Sequence, residues 1–179
     1  MKNKTIKALS QASLKGTGLS YMADSTNYKN WYLKAQKDLK DAKNLFKYDE
    51  ADEIKGESVD FSSSAFHCQQ SIEKCLKGYI LKETQELFEG HNLKLLCKEA
   101  GKIDPFFRNF DEDCRYVNDY YTEPRYPDDD DEFLFIRKDE AETCIKIAEK
   151  ITEYTFEADV NGGDIMKEKG GDIMQEKGG

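Results

Sequence analysis

Apolar residues recur along this chain at intervals of three and four, the spacing that gathers side chains on one face of a helix. Trp31, Ala35, Leu39, Ala42 and Phe46 mark such a face and predict a helix over about 25–48. Residues 49–58 are acidic and predict a loop. Ala65, Cys68, Ile72, Cys75, Leu76 and Tyr79 then form the apolar stripe of a second helix over about 62–82. A short helix is expected over 92–100, with Leu93, Leu96 and Cys97 inward and Gly101 as its C-terminal cap. Asp104-Pro105 has the form of an N-cap followed by proline in the first turn. It opens a fourth helix to about Tyr121, with Phe106, Phe107, Phe110, Cys114, Val117 and Tyr121 on its apolar face. Pro124 and Pro127 end that helix. A fifth runs over about 137–156, with Ala141, Cys144, Ile145, Ala148, Ile151 and Thr155 inward. No segment alternates apolar and polar residues in the manner of a strand. The expected class is all-α: an antiparallel up-and-down bundle of four long helices and one short one.

The flanks carry a different pattern. Residues 1–24 scatter their apolar positions among Lys2, Lys4, Lys7 and Lys15 and are broken by Gly16 and Gly18, which suggests a flexible arm. Near the other end GGDIMKEK at 162–169 is followed by GGDIMQEK at 170–177. Two octads are too few to stack as a solenoid, so residues 158–179 are expected to be a flexible glycine-rich tail. The domain proper is then 25–157.

Composition narrows the function. The chain has 179 residues and a formal net charge of −9, so nucleic acid is repelled on average and any RNA or nucleotide contact needs a local basic pocket. The acidic run from Asp128 to Glu132 is expected to be solvated. Cys68, Cys75, Cys97, Cys114 and Cys144 form no C-x-x-C pair, and their spacing does not suit zinc. They are expected to be buried free thiols of a reducing cytosol. The sequence has no apolar run of membrane-spanning length and no signal-peptide pattern, which points to a cytoplasmic protein. No glycine-rich phosphate loop and no metal-ligand spacing stand out, so neither cofactor nor metal is expected.

Three polar constellations break the apolar stripes. On the second helix His67, Gln70, Ser71 and Lys74 share a stripe beside the core face, where they would need hydrogen-bond partners. Gly90-His91-Asn92 opens the short helix. Asn92 and Gly90 suit a cap and a turn, whereas His91 near the helix's positive end could meet an anion or move a proton. In Tyr120-Tyr121-Thr122-Glu123-Pro124-Arg125-Tyr126-Pro127, Arg125 lies between two prolines, where a guanidinium with a restricted backbone can fork onto phosphate or carboxylate. The candidate nucleotide- or RNA-binding residues are His67, Gln70, Lys74, His91, Asn92, Tyr121, Arg125 and Tyr126.

The ordered set WYLKAQKDLKDAKNLF, FHCQQSIEKCLKGYI, GHNLKLL and YYTEPRYP resembles the HEPN domain family over about residues 27–157. The resemblance implies a five-helix bundle that often forms homodimers. It also implies frequent association with a minimal nucleotidyltransferase, in some cases as a toxin–antitoxin pair in which the HEPN protein is a ribonuclease. The family's ribonucleases carry an arginine followed four to six residues later by a histidine. Here Arg108, Arg115, Arg125 and Arg137 all come after His67 and His91, the two histidines of the chain, so that pair is absent. The expectation is therefore a non-catalytic nucleotide- or RNA-binding protein that works with a nucleotidyltransferase. The alternatives are a metal-independent endoribonuclease toxin with a non-standard site and a purely structural helical adaptor.

Overall fold

A computed structural model describes residues 26–56, 59–121 and 135–169, with the backbone alone at 121 and 160–169. The described residues form five α-helices and no strand. They are α1 (Tyr28–Ile54), α2 (Ser62–Thr84), α3 (Leu93–Ile103), α4 (Asp111–Asn118) and α5 (Lys138–Lys169), with 3-10 turns at Pro105–Phe110 and Asp119–Tyr121.

The helices depart from their sequence-based bounds for local reasons. α1 runs through the acidic stretch expected to be a loop and ends at Ile54. Glu and Ala are good helix formers, and Lys138 reaches back to Glu50 (2.8 Å) and Glu53 (3.4 Å). α3 does not stop before Gly101, which is buried inside the helix; Asp104 is its C-cap. Asp104 and Pro105 do open the next element as expected, with Asp104 Oδ1 accepting from Phe106 N (3.0 Å). That element is not one helix but a 3-10 turn, α4 and a second 3-10 turn. α5 continues beyond Phe156 to Lys169, so the first glycine-rich octad is helical where a tail was expected; residues 170–179 lie outside the described residues.

α1 and α2 lie antiparallel along a seam of small residues. Ser64 Oγ donates to the Ala42 carbonyl (3.0 Å) and Ser71 Oγ to the Ala35 carbonyl (2.9 Å). Gly78, seven residues further on, meets the ring of Tyr32. A seven-residue spacing returns to the same side of a helix after two turns, so Ser64, Ser71 and Gly78 all face α1. The aromatic residue buried here is Tyr32 rather than Trp31, which is half-buried.

A β-carbon on Gly78 would stand 2.7 Å from two Tyr32 ring carbons and 3.1 Å from Trp31 Cβ. In an open helix glycine to alanine gains about 1 kcal/mol. Here Gly78→Ala is expected to lose on the order of 1–3 kcal/mol through overpacking, read as a lower denaturant midpoint.

The core is closed by α3, α4 and α5. Leu93, Leu96, Phe107, Phe110, Val117 and Ile151 are among its largest fully buried side chains. Phe107 touches Tyr79 (ring centroids 4.7 Å apart), Tyr154 (5.2 Å) and Phe110 (6.0 Å). Phe106, expected to face inward, is 47% exposed and stacks on Tyr154. Tyr154 Oη donates to Asp104 Oδ2 (2.6 Å), tying α5 to the corner after α3. At the other end of the core, Asp60 Oδ1 accepts from Ser62 N (3.1 Å) and from Ile136 N (3.0 Å). Phe61 N donates to the Ile136 carbonyl (3.0 Å), so the chain entering α5 is fastened to the start of α2.

All five cysteines are free and buried. Burial pushes the Cys75 and Cys144 thiols up to about 12 and raises Cys68 as well, while Cys114 is raised first by its hydrogen bond with Cys97 and then by burial. Burial also lifts the Tyr79 phenol to about 12. These acids are kept neutral by the fold, so their contribution is intact below the ordinary thiol value of 9.0 and is lost as pH rises toward 12. Two results are expected. A thiol reagent at neutral pH stays silent on the native protein and titrates all five cysteines after unfolding. The denaturant midpoint falls steadily between about pH 9 and 12.

Candidate functional site: a polar band along α2

The band starts from a simple conflict. α2 is buried along most of its length, yet its sequence places Gln69, Gln70, Glu73, Lys74 and Lys77 between apolar residues. Buried polar groups must find partners, and here they find one another.

At one end, His67 Nδ1 lies 3.2 Å from Asp38 Oδ1, and Lys74 donates to Asp38 Oδ2. Lys74 also donates to Gln70 Oε1 (3.0 Å). Gln70 Nε2 donates to Gln69 Oε1 (2.8 Å), and Gln69 Nε2 donates to Glu73 Oε2 (3.2 Å) and to the His91 carbonyl (3.3 Å). At the other end Glu73 Oε1 holds Lys77 Nζ (3.0 Å) and His91 Nδ1 (2.9 Å). An unbroken series of polar contacts thus joins the two histidines. From His67 to Lys77 it spans about 15 Å at the helical rise of 1.5 Å per residue.

The band is buried at its centre and open at His91. The Glu73 and Lys77 side chains are 4% and 5% exposed, whereas that of His91 is 57% exposed. Lys77 also lies over the Trp31 ring, 5.5 Å from its centroid, so its ammonium meets both a carboxylate and an aromatic face. Gly90 sets up the turn at φ +103°, a conformation that side chains disfavour. His91 is thereby carried onto Glu73.

Of the sequence-derived candidates, His67, Gln70, Lys74 and His91 come together on this band. Ser71 does not belong to it; it is fully buried in the seam with α1. Asn92 serves as the cap of α3, its Oδ1 accepting from Leu95 N (3.1 Å). Leu93 N is taken by Asn118 Oδ1 (2.9 Å), so two amides of the first turn are already occupied. The Tyr121 side chain, Arg125 and Tyr126 lie outside the described residues. Sequence reasoning missed Asp38, Glu73 and Lys77. Glu73 and Lys77 are four apart on one helix, the spacing of an intrahelical ion pair, which was the available signal.

Chemically the band carries two imidazoles, each beside a carboxylate, and lysines that are paired with acids. It can donate and accept hydrogen bonds along one face, and at His91 it offers an imidazole oriented by a buried carboxylate. No described helix is long and apolar enough to cross a membrane.

Comparison with known proteins agrees with this architecture. A search of curated proteins finds no match. Among solved structures the chain is similar to the crystal structure of TT1696 from Thermus thermophilus, at a TM-score of 0.60 and 20% identity. The match covers 74% of this chain and 98% of that one, and at this identity it speaks for the fold alone. The HEPN domain model matches residues 28–158, which takes in every described helix up to the last turns of α5 and the whole polar band. The chain belongs to the HEPN domain family.

Proposed function

We propose that this HEPN protein binds a nucleotide or an RNA end along the α2 band without cleaving it, and that it works as a homodimer with a minimal nucleotidyltransferase partner, as in toxin–antitoxin-type modules. The observation that carries the reading is the series of polar contacts from His67 to His91, buried in the middle and open to solvent at His91. A ligand phosphate or base edge would exchange hydrogen bonds with His91, Gln70 and Lys74 in place of some now made within the protein. The absence of an arginine four to six residues before either histidine supports binding rather than cleavage. Arg125 and Tyr126, which lie outside the described residues, remain part of the proposal on the sequence alone.

Isothermal titration with ATP, GTP and a short RNA tests it. Saturable binding is expected, weakened about tenfold or more by His91→Ala, the loss of one charge-assisted hydrogen bond costing about 1.5–3 kcal/mol. No heat with any of the three ligands removes the nucleotide reading and leaves the band as a purely structural device of a helical adaptor.

A second reading rests on the Glu73–His91 contact of 2.9 Å. A buried carboxylate that orients an exposed imidazole is an arrangement suited to general acid–base work. The corresponding activity is metal-independent RNA cleavage at a non-standard site. It predicts RNA fragments from the pure protein in the presence of a chelator, and their disappearance in His91→Ala.

A further inference from the structure

Outside the buried half of the band, two helices bring together three side chains of metal-ligating type. Asp38 and Asp41 are three residues apart on α1, and His67 faces them from α2. One ligand atom from each lies within 4.8 Å of the others, and all three residues are half-buried. A divalent ion held by bonds of about 2.0–2.2 Å needs ligand atoms roughly 3.3–3.5 Å apart, which small side-chain adjustments can reach from here.

The surroundings are those of a prepared site. The Oδ2 atom of each carboxylate is held by a lysine, Asp38 by Lys74 and Asp41 by Lys37. The other oxygen of Asp38 is the one beside His67. Outer hydrogen bonds of this kind fix the orientation of ligating carboxylates. The two helices are themselves fixed relative to each other by Ser64 and Ser71, whose bonds to the Ala42 and Ala35 carbonyls bracket the site.

We infer that Asp38, Asp41 and His67 form a binding site for a divalent first-row transition ion of the zinc or cobalt class. The imidazole argues against magnesium and calcium, which prefer oxygen alone. Three protein ligands leave at least one coordination position open to water or to an anion. The flanking lysines oppose the ion's charge, so binding is expected to be weaker than at a structural zinc site. The site shares Asp38 and His67 with the polar band but needs no nucleotide, and the ion alone is the probe.

The test is titration of the full chain, without nucleotide, with zinc chloride by calorimetry and with cobalt chloride by visible absorption. One equivalent is expected to bind at micromolar concentration, with the d–d bands of a nitrogen- and oxygen-ligated cobalt. His67→Gln and Asp41→Asn are each expected to weaken it at least tenfold while keeping the native circular dichroism spectrum. The acidic run Asp128 to Glu132 and the five thiols are the competing ligands. Binding that is unchanged in both variants, a sulfur-to-cobalt charge-transfer band, or no binding up to millimolar ion would each overturn the assignment. If one variant fails to fold, the other decides.

Discussion

Glu73→Ala is expected to destabilise the protein by about 3–5 kcal/mol, the range for removing one partner of a buried ion pair. The loss has little to do with the favourable energy of the pair itself. Lys77 is 4% exposed and would lose the carboxylate it is paired with, the Trp31 ring remaining beside it. Gln69 would lose one of its acceptors and His91 the carboxylate that orients it. The double variant Glu73→Leu/Lys77→Met separates these effects, because it removes both charges and keeps the volume. It is expected to recover most of the loss, since well-packed apolar replacements of buried pairs are often neutral. Urea unfolding of the single and double variants reads both. Equal losses in the two would mean that the stranded ammonium is not what costs.

Phe107→Ala is the second large effect, at about 3–5 kcal/mol. Phe107 is fully buried in the 3-10 turn before α4, touching Tyr79 of α2, Phe110 of the same turn and Tyr154 of α5. Those three are held by other contacts, Tyr154 through Asp104 among them, so the cavity has little means of collapse. The neighbouring Phe106→Ala is the control. It removes a ring of the same size that is 47% exposed and is expected to cost about 1 kcal/mol. Equal losses at the two positions would contradict the placement of the core.

The apolar stripes were legible because burial follows helical periodicity. Ala65, Cys68, Ile72, Cys75, Leu76 and Tyr79 all lie in the core, and so do Leu93, Leu96 and Cys97. Periodicity says little about where a helix ends. Asp49 to Glu53 look solvated and are partly so, yet acidic residues tolerate a helix well, and α1 continues through them. Gly162 and Gly163 argued for a break that the backbone of α5 does not make.

The site was half legible for a related reason. His67, Gln70 and Lys74 stand out in the sequence beside the apolar stripe of α2, and His91 at the start of α3. Their carboxylate partners do not: Asp38 lies among the many acids and lysines of α1, and nothing in the sequence pairs it with a helix some thirty residues on. Glu73 and Lys77 look like an ordinary surface pair by spacing; in the fold they are buried, with Trp31 of α1 against Lys77 and His91, before α3, against Glu73. The serine and glycine seam was invisible to a hydrophobic count, because small and hydroxyl residues score as polar or neutral. Their role is set by how closely two backbones approach.

Asp60 has a consequence that reaches past the start of α2. It receives the amide of Ile136, and Phe61 bonds the Ile136 carbonyl, so α5 is seated on the rest of the molecule before its first turn begins. α5 then stays attached through Ala141, Cys144, Ala148 and Ile151, all fully buried. These contacts hold α5 in place without help from the covalent link to the rest of the chain. Two fragments that meet between 122 and 134 are expected to hold together and co-purify, and Asp60→Ala is expected to weaken their association without ending it.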